Sequence, residues 1–207
     1  MRIALISDTH GQHDGLLLPE ADILIHSGDF SQRGRLQEVK DFLQWFGRQP
    51  HQHKVLIAGN HDFLVEKEPD LFHSLIPEGV TYLNDSGLEI EGFKIWGSPI
   101  QPWFYDWAFN RQRGAEIRKH WDMIPEGTDI LITHGPPLGV LDKTQAGDVV
   151  GCADLMARID IVQPKLHVFG HIHEAHGQLQ RGVTNFVNAS VLNLRYMLVW
   201  GATVVEL

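Results

Sequence analysis

Sulfur is nearly absent from this chain: one cysteine, Cys152, stands among 207 residues. An intrachain disulfide is thereby excluded, a thiolate-rich structural zinc site has no ligands, and a reducing compartment suits the composition. Basic residues are scarce too, with 17 Lys and Arg against 26 Asp and Glu and a formal net charge of -9. That balance argues against a cationic groove for nucleic acid. Cation-binding carboxylates would account for part of the acidic excess. Long apolar runs are missing, and none approaches the roughly 20 residues that span a bilayer. Met1-Arg2 leads straight into Ile3-Ala4-Leu5-Ile6, too short for a signal core and followed by no cleavage site. A cytoplasmic protein is expected. No repeat, low-complexity tract or interdomain linker interrupts the chain, so residues 1–207 are expected to form a single domain. With 43% hydrophobic and 21% charged residues, it has the composition of an ordinary globular core and shell.

Short apolar runs that break off in polar residues recur along the chain. Runs at 2–7, 22–27, 54–58, 129–133 and 165–169 predict buried strands. They end in Ser7-Asp8-Thr9-His10, Gly28-Asp29, Gly59-Asn60-His61-Asp62, His134-Gly135 and Gly170-His171-Ile172-His173. Between them, Leu36, Val39, Phe42, Leu43 and Phe46 recur at helical steps, predicting an amphipathic helix over 35–48. Further helices are expected at 70–76, 113–121 and 152–160. Short strands are expected at 80–83, 88–90 and 93–96, the last two joined by Glu91-Gly92, and strand pieces at 175–180, 183–187 and 196–206, with Arg181-Gly182 as a hairpin turn. Residues 98–112, with two prolines and five aromatics in no clean period, read as a loop. The order is strand–helix at first and strand-rich at the end. A two-sheet β-sandwich flanked by helices, of the α/β class, fits that order better than one doubly wound sheet.

The strand ends carry the chemistry. Open α/β sheets place ligand sites at the C-terminal edge of their strands. There the sequence sets Asp8, His10, Asp29, Asn60, His134, His171 and His173: carboxylate, imidazole and one amide oxygen, with no thiolate. This mixture suits Mn, Fe, Co, Ni or Zn, whereas Ca would want more oxygen. Seven ligands are too many for one metal, and two metals sharing a carboxylate would use them all. Such a pair, about 3.5–4 Å apart, can hold a hydroxide and clamp a phosphoryl group. Thirteen histidines are present, and an isolated histidine is more often a satisfied or surface residue than a ligand. His51, His53, His73, His120 and His176 are therefore expected at the surface, and His26 and His167, inside apolar strands, as hydrogen-bonded core groups. Cys152 reads as a packed helix-start residue.

Asp8-x-His10, Gly28-Asp29, Gly59-Asn60-His61-Asp62, Thr133-His134-Gly135 and Gly170-His171-x-His173 resemble, in order, the five blocks of the calcineurin-like metallophosphoesterase superfamily. Trp96–Phe109, Ile130–Pro137 and Lys165–His176 further resemble its small metallophosphoesterase-domain-containing class over most of the chain. The resemblance implies that Asp8, His10, Asp29 and His173 hold one metal and that Asp29, Asn60, His134 and His171 hold another, with Asp29 as bridge. Two divalent ions are expected, manganese first, with Fe, Zn, Co or Ni as the other candidates. It also implies that His61 is no ligand but protonates the leaving oxygen of a phosphoester or stabilises its charge. Some members of that class lack the histidine matching His171 and are weak enzymes; this chain keeps it.

One departure bears on His61. Where the protein-phosphatase branch has an aspartate that orients the catalytic histidine, this chain has Gln32. Asp62 or another carboxylate would have to substitute, and a protein substrate is disfavoured. Arg33 follows, placed either to grip a phosphate bidentately or to start a helix in solvent. Trp103 and Trp107, in the aromatic loop, would either fill core or form a rim that stacks a nucleobase. Asn60 and His61 are expected to touch substrate as well. The favoured function is a phosphodiesterase acting on small substrates, cyclic or linear nucleotides first. A phosphomonoesterase or protein phosphatase on the same metals, and a nucleotide-binding scaffold with a vestigial site, are the alternatives. A small phosphoester is the expected partner, with no membrane; the oligomeric state is open.

Overall fold

Runs such as Ile3–Ile6 and Ile130–Ile132 have no polar side, and strands of this kind need cover on both faces. A computed structural model describes all residues from Met1 to Leu207 and shows how that cover is arranged. The first half contains β1 (Arg2–Ile6), β2 (Ile23–Ser27), α1 (Leu36–Gly47), β3 (His53–Ile57), α2 (Phe63–Lys67), α3 (Pro69–Leu75), β4 (Val80–Tyr82), β5 (Ser86–Ile90), β6 (Phe93–Ser98), β7 (Gln101–Pro102) and β8 (Asn110–Arg111). The second half adds α4 (Ala115–Trp121), β9 (Ile130–Thr133), α5 (Ala153–Val162), β10 (Leu166–Phe169), β11 (Gly177–Arg181), β12 (Thr184–Asn188) and β13 (Thr203–Glu206). One sheet runs β13-β1-β2-β3-β4 and the other β11-β12-β10-β9-β6-β5, with antiparallel pairing only at β13, β11 and β5. The expected two-sheet α/β sandwich is what the chain forms.

Strand alternation decides which side chain goes where. Ile3, Leu5, Ile23, Ile25, Val55 and Ile57 of the first sheet share one core with Ile95, Ile130, Ile132, Leu166, Val168 and Val187 of the second. The alternate residues Ala4, Ile6, Leu24 and Leu56 meet Val39, Phe42, Leu43 and Phe46 of α1. Full burial of each such aromatic or aliphatic side chain contributes about 1.5–3 kcal/mol relative to exposure. Entry to α1 is fixed by Glu38, whose carboxylate accepts the Arg33 and Arg35 amides. Leu131, Phe169 and Phe186 are covered by Ile117 and Trp121 of α4 and by Leu155 and Ile159 of α5. Cys152 is buried and its Sγ accepts the Leu155 amide at 3.4 Å, so it caps α5, as its place before the helix predicts.

The parallel strands β1, β2 and β3 of one sheet and β9 and β10 of the other end at one edge, where a bridge between Ser7 and Ser190 joins the sheets. Several local features differ from the sequence expectation. The 196–206 strand is confined to β13, because Asn193 takes the amides of Arg195 and Met197 on its side chain and turns the chain back. The 98–112 loop is pinned by the two-residue pair β7–β8. Helix α2 is too short to show a period in sequence. Glu91 and Gly92 both have positive φ, 48° and 82°, as a tight hairpin turn requires. The second hairpin turns on Gly182 and Val183, one residue later than expected, since Arg181 already pairs with Thr184.

Candidate metal centre

The seven strand-end side chains meet. The ligand atoms of Asp8, His10 and His173 lie within 4.8 Å of one another, as do those of Asp29, His134 and His171. Asp29 belongs to a third such group with His10 and His61. Its Oδ2 faces His134 Nε2 at 3.3 Å, His10 Nε2 at 3.7 Å and His61 Nε2 at 4.0 Å, so one carboxylate oxygen looks toward both halves of the cluster. Asn60 Oδ1 lies 2.9 Å from His134 Nε2. Asp8 Oδ1 lies 3.6 Å from His173 Nε2.

Turning five strands' side chains into one point costs backbone strain. Asp8, His10, Asp29 and His171 all have positive φ, between 41° and 69°. Such conformations cost of order 1–3 kcal/mol each in non-glycine residues and gather at functional sites. Glycines clear the space. A Cβ on Gly170 would strike the Asp8 carboxylate, one on Gly59 the Asp29 carboxylate, and one on Gly28 would sit 2.6 Å from His134 Nδ1.

Backbone carbonyls set the imidazole tautomers. Nδ1 of His10, His134 and His173 lies 3.2, 3.0 and 3.2 Å from the carbonyls of Ser31, Ser27 and Asn193. A carbonyl only accepts, so each Nδ1 carries a proton and each Nε2 is the ring nitrogen turned toward the cluster. Carboxylates are held likewise: Asp8 accepts Ser190 Oγ–H at 2.5 Å and the His171 amide at 3.0 Å, and Asp29 accepts the His61 amide at 2.7 Å.

Charge is balanced within the cluster. Burial disfavours ionisation of Asp8 and Asp29, yet His173 and His134 beside the one, and His134 and His61 beside the other, hold both carboxyls well below the usual range. Burial pushes His10 and His171 down to about 4. At His134 burial is outweighed by Asp29, which holds it up at about 9, and at His173 by Asp8, which holds it at about 8. Two carboxylates therefore face two imidazolium groups whose protons a divalent cation would displace. The residues fit such a cation. His10 Nε2 is buried with no hydrogen-bond partner, and His134 Nε2 and Asn60 Oδ1, 2.9 Å apart, both turn toward the cluster, where a cation could take the place of the proton between them.

Comparison with known proteins agrees with the geometry. The family model described as calcineurin-like phosphoesterase matches residues 1–175. The chain belongs to the calcineurin-like phosphoesterase family. It is 43% identical, over all of its own length and 71% of theirs, to the proteins named metallophosphoesterase domain-containing protein 1 of Homo sapiens and Mus musculus. A UPF0046 protein of Caenorhabditis elegans is 38% identical over 93% of this chain and 70% of its own. One solved crystal structure superposes with a TM-score of 0.70, covering 90% of this chain and 89% of its own, at 15% identity, a likeness of fold alone. Calcineurin-like phosphoesterases are phosphoester hydrolases that use divalent metals, and the His/Asp cluster is the candidate site for them here.

Around the cluster of this calcineurin-like phosphoesterase, the residues singled out by sequence fall into different places. Arg33 and Trp107 line a cavity of about 510 Å³ that opens on His10 and His61 and is completed by Gln12, Gln32 and Tyr196. Trp103 and Phe104, both about half exposed, line another of about 620 Å³ that opens on His171 and includes Arg113 and Pro136. Asp62 does not substitute for the missing aspartate. Its buried carboxylate accepts the amides of Gly59, Asp29 and Ser31 at 2.8, 2.9 and 3.0 Å and Ser31 Oγ–H at 2.6 Å, tying the second and third strand ends together. Burial and the neighbouring Asp29 push it up to about 7, against the pull of those donors. His61 Nδ1 instead meets the Gln32 carbonyl at 2.7 Å.

His26 and His167 are buried and bond Thr9 and Thr133, as expected of core histidines, whereas His51 is buried against the Pro19 carbonyl rather than at the surface. Sequence reasoning missed Ser190 and Tyr196. The Tyr196 ring lies edge-on to His10 and His173 at 4.9 and 5.3 Å. No local pattern marks either residue, because each reaches the site only when the chain's last third folds back onto β1. No helix is long and apolar enough to cross a membrane.

Proposed function

We propose that this chain hydrolyses phosphodiesters of small substrates, cyclic or linear nucleotides first, at a centre of two divalent metal ions. The observation that carries this reading is the pair of cavities, one against His171 and one against His10 and His61. A diester has a substituent on each side of its phosphorus and needs room for both, whereas a monoester needs one. In this reading Asp8, His10, Asp29 and His173 hold the first ion and Asn60, His134, His171 and Asp29 the second, since Asp29 Oδ2 faces both groups. The ligand set suits manganese, with Fe, Zn, Co or Ni as the other candidates. Bound divalent metal supplies Lewis-acid charge for the phosphoryl oxygens and an activated water nucleophile.

The protein's own groups do the rest. His61, with Nδ1 committed to the Gln32 carbonyl, presents Nε2 toward the cluster, where it delivers a proton to the leaving oxygen. Arg33, on the rim of the same cavity, grips a free phosphoryl oxygen. Trp103 and Phe104 offer exposed faces for a nucleobase in the other cavity. Asn60 contacts substrate from its place beside His134. The acidic surface and the single buried thiol fit a small-molecule enzyme of a reducing compartment, acting as one domain. The test is turnover by metal-loaded protein on matched aryl diesters and monoesters and on cyclic nucleotides. Higher kcat/KM on diesters is expected. Faster monoester turnover would replace this reading with a phosphomonoesterase, and nucleotide binding without turnover, unchanged by chelation, would replace it with a scaffold.

A further inference from the structure

His61 has one hydrogen bond from its ring to the protein, and one bond does not orient a ring. Nδ1–H donates to the Gln32 carbonyl at 2.7 Å. That bond restrains χ1 and χ2 only loosely, so the imidazole can still tilt and carry Nε2 out of line with the cluster. No carboxylate meets Nδ1, because Gln32 replaces the acid and Asp62 is committed to the backbone of Asp29, Ser31 and Gly59. The ring plane must be set by something else.

The geometry points to Trp107 as the positioning residue of His61: its indole stacks on the imidazole, with ring centroids 4.2 Å apart and planes 29° from parallel. The His10 ring meets the same imidazole edge-on at 4.6 Å and 82°, so stacking and edge contact together leave one orientation. Trp107 is itself fixed from the backbone. The amide of Ala108 donates to the carbonyl of Asn60 at 3.1 Å, which ties the indole to the residue preceding His61. Ala108 and Phe109 beyond it are buried, and Phe63 lies against the indole at 5.8 Å. Trp107, by contrast, is only half-buried and lines the cavity beside His61. A core-filling tryptophan would be enclosed; this one spends a face on the imidazole. The aromatic loop thus supplies by stacking the orientation that an acidic partner supplies by charge.

This inference rests on the proposed role of His61 at the leaving group, and the experiment separates the two. Trp107→Ala, Trp107→Leu and Trp107→Phe are compared in the parent and in a His61→Ala background, metal-loaded, on aryl phosphoesters with leaving groups from p-nitrophenol to phenol. In the parent, Trp107→Ala and Trp107→Leu should lower kcat about 10-fold on phenyl esters and less on p-nitrophenyl esters, with KM and metal content unchanged. Phe should restore most of the loss, and in the His61→Ala background no Trp107 variant should matter. An equal loss in both backgrounds, or a rise in KM alone, would overturn the proposal. Independently of turnover, the His61 ring-proton resonances should show an upfield ring-current shift that Trp107→Leu abolishes and Trp107→Phe retains in part. A parent spectrum without that shift overturns the stacking itself, whatever the substrate proves to be.

Discussion

The first sheet brings Asp8, Asp29 and Asn60 to the shared edge together with His10 and His61, whereas the second brings imidazoles alone: His134, His171 and His173. Each side also holds the other's groups in place. His134 of the second sheet is fixed by the Ser27 carbonyl of the first, and Asp8 of the first by Ser190 and the His171 amide of the second. His10 and His61, in contrast, are set by the Ser31 and Gln32 carbonyls of their own sheet's loops. The difference teaches that every carboxylate of the cluster comes from one sheet, while its imidazoles are divided between the two and meet only when the sheets pack. Neither sheet alone holds a neutral or complete ligand set, so the centre exists only when the sandwich closes.

The largest test of that division is Asp29, the carboxylate that looks toward imidazoles of both sheets. Asp29→Ala is expected to abolish turnover and to lower metal content, read by elemental analysis of the purified protein. Full activity in that variant would show that the sheets do not share it. His61→Ala sharpens the contrast between ligand and non-ligand imidazoles: turnover should slow by about 10²–10⁴ with metal content kept. Loss of metal there would make His61 a ligand. Ser190→Ala removes one hydrogen bond across the join, and metal affinity should fall by about 10- to 100-fold in a competition titration. Unchanged affinity would mean that the His171 amide holds Asp8 unaided.

The smallest effect concerns the core histidines, both pushed down to about 3 by burial. His26 bonds Thr9 through Nε2 and accepts the Gly28 amide at Nδ1, while His167 bonds Thr133 and leaves its buried Nδ1 without a partner. Burial pushes His167 down to about 3 from an ordinary 6.5. Between those values the unfolded chain binds the extra proton, so stability falls as pH drops, by up to about 1.4 kcal/mol per unit. His167→Leu should make the acid limb of stability shallower by about that amount, in denaturant melts from pH 4 to 6. An unaltered limb would show that the proton is taken up elsewhere.

Much of this was legible in the chain. Buried strands announced themselves as unbroken apolar runs, and Asp8, Asp29, Asn60, His134 and the His171/His173 pair stood where such runs stop. The periodicity of Val39, Phe42, Leu43 and Phe46 marked α1 for the same reason: local spacing is what a helix reads. Other features had no local trace. Asp62 carries the right chemistry to orient His61 and sits next to it in sequence, yet its side chain turns into the backbone of another strand end. Trp107 looked like a rim for a base, and its near face is taken by His61. Ser190 and Tyr196 lie some 180 positions from their partners Asp8 and His10, just after β1.

Residue types and their order alone determined the sandwich, the seven candidate ligands and the absence of sulfur chemistry, because hydrophobic period and donor chemistry are properties of neighbours along the chain. Only the tertiary structure decided which oxygen faces which imidazole, which group steadies His61, and where two cavities open. Those depend on distances between strands of different sheets, and such distances come into being when the two apolar faces pack.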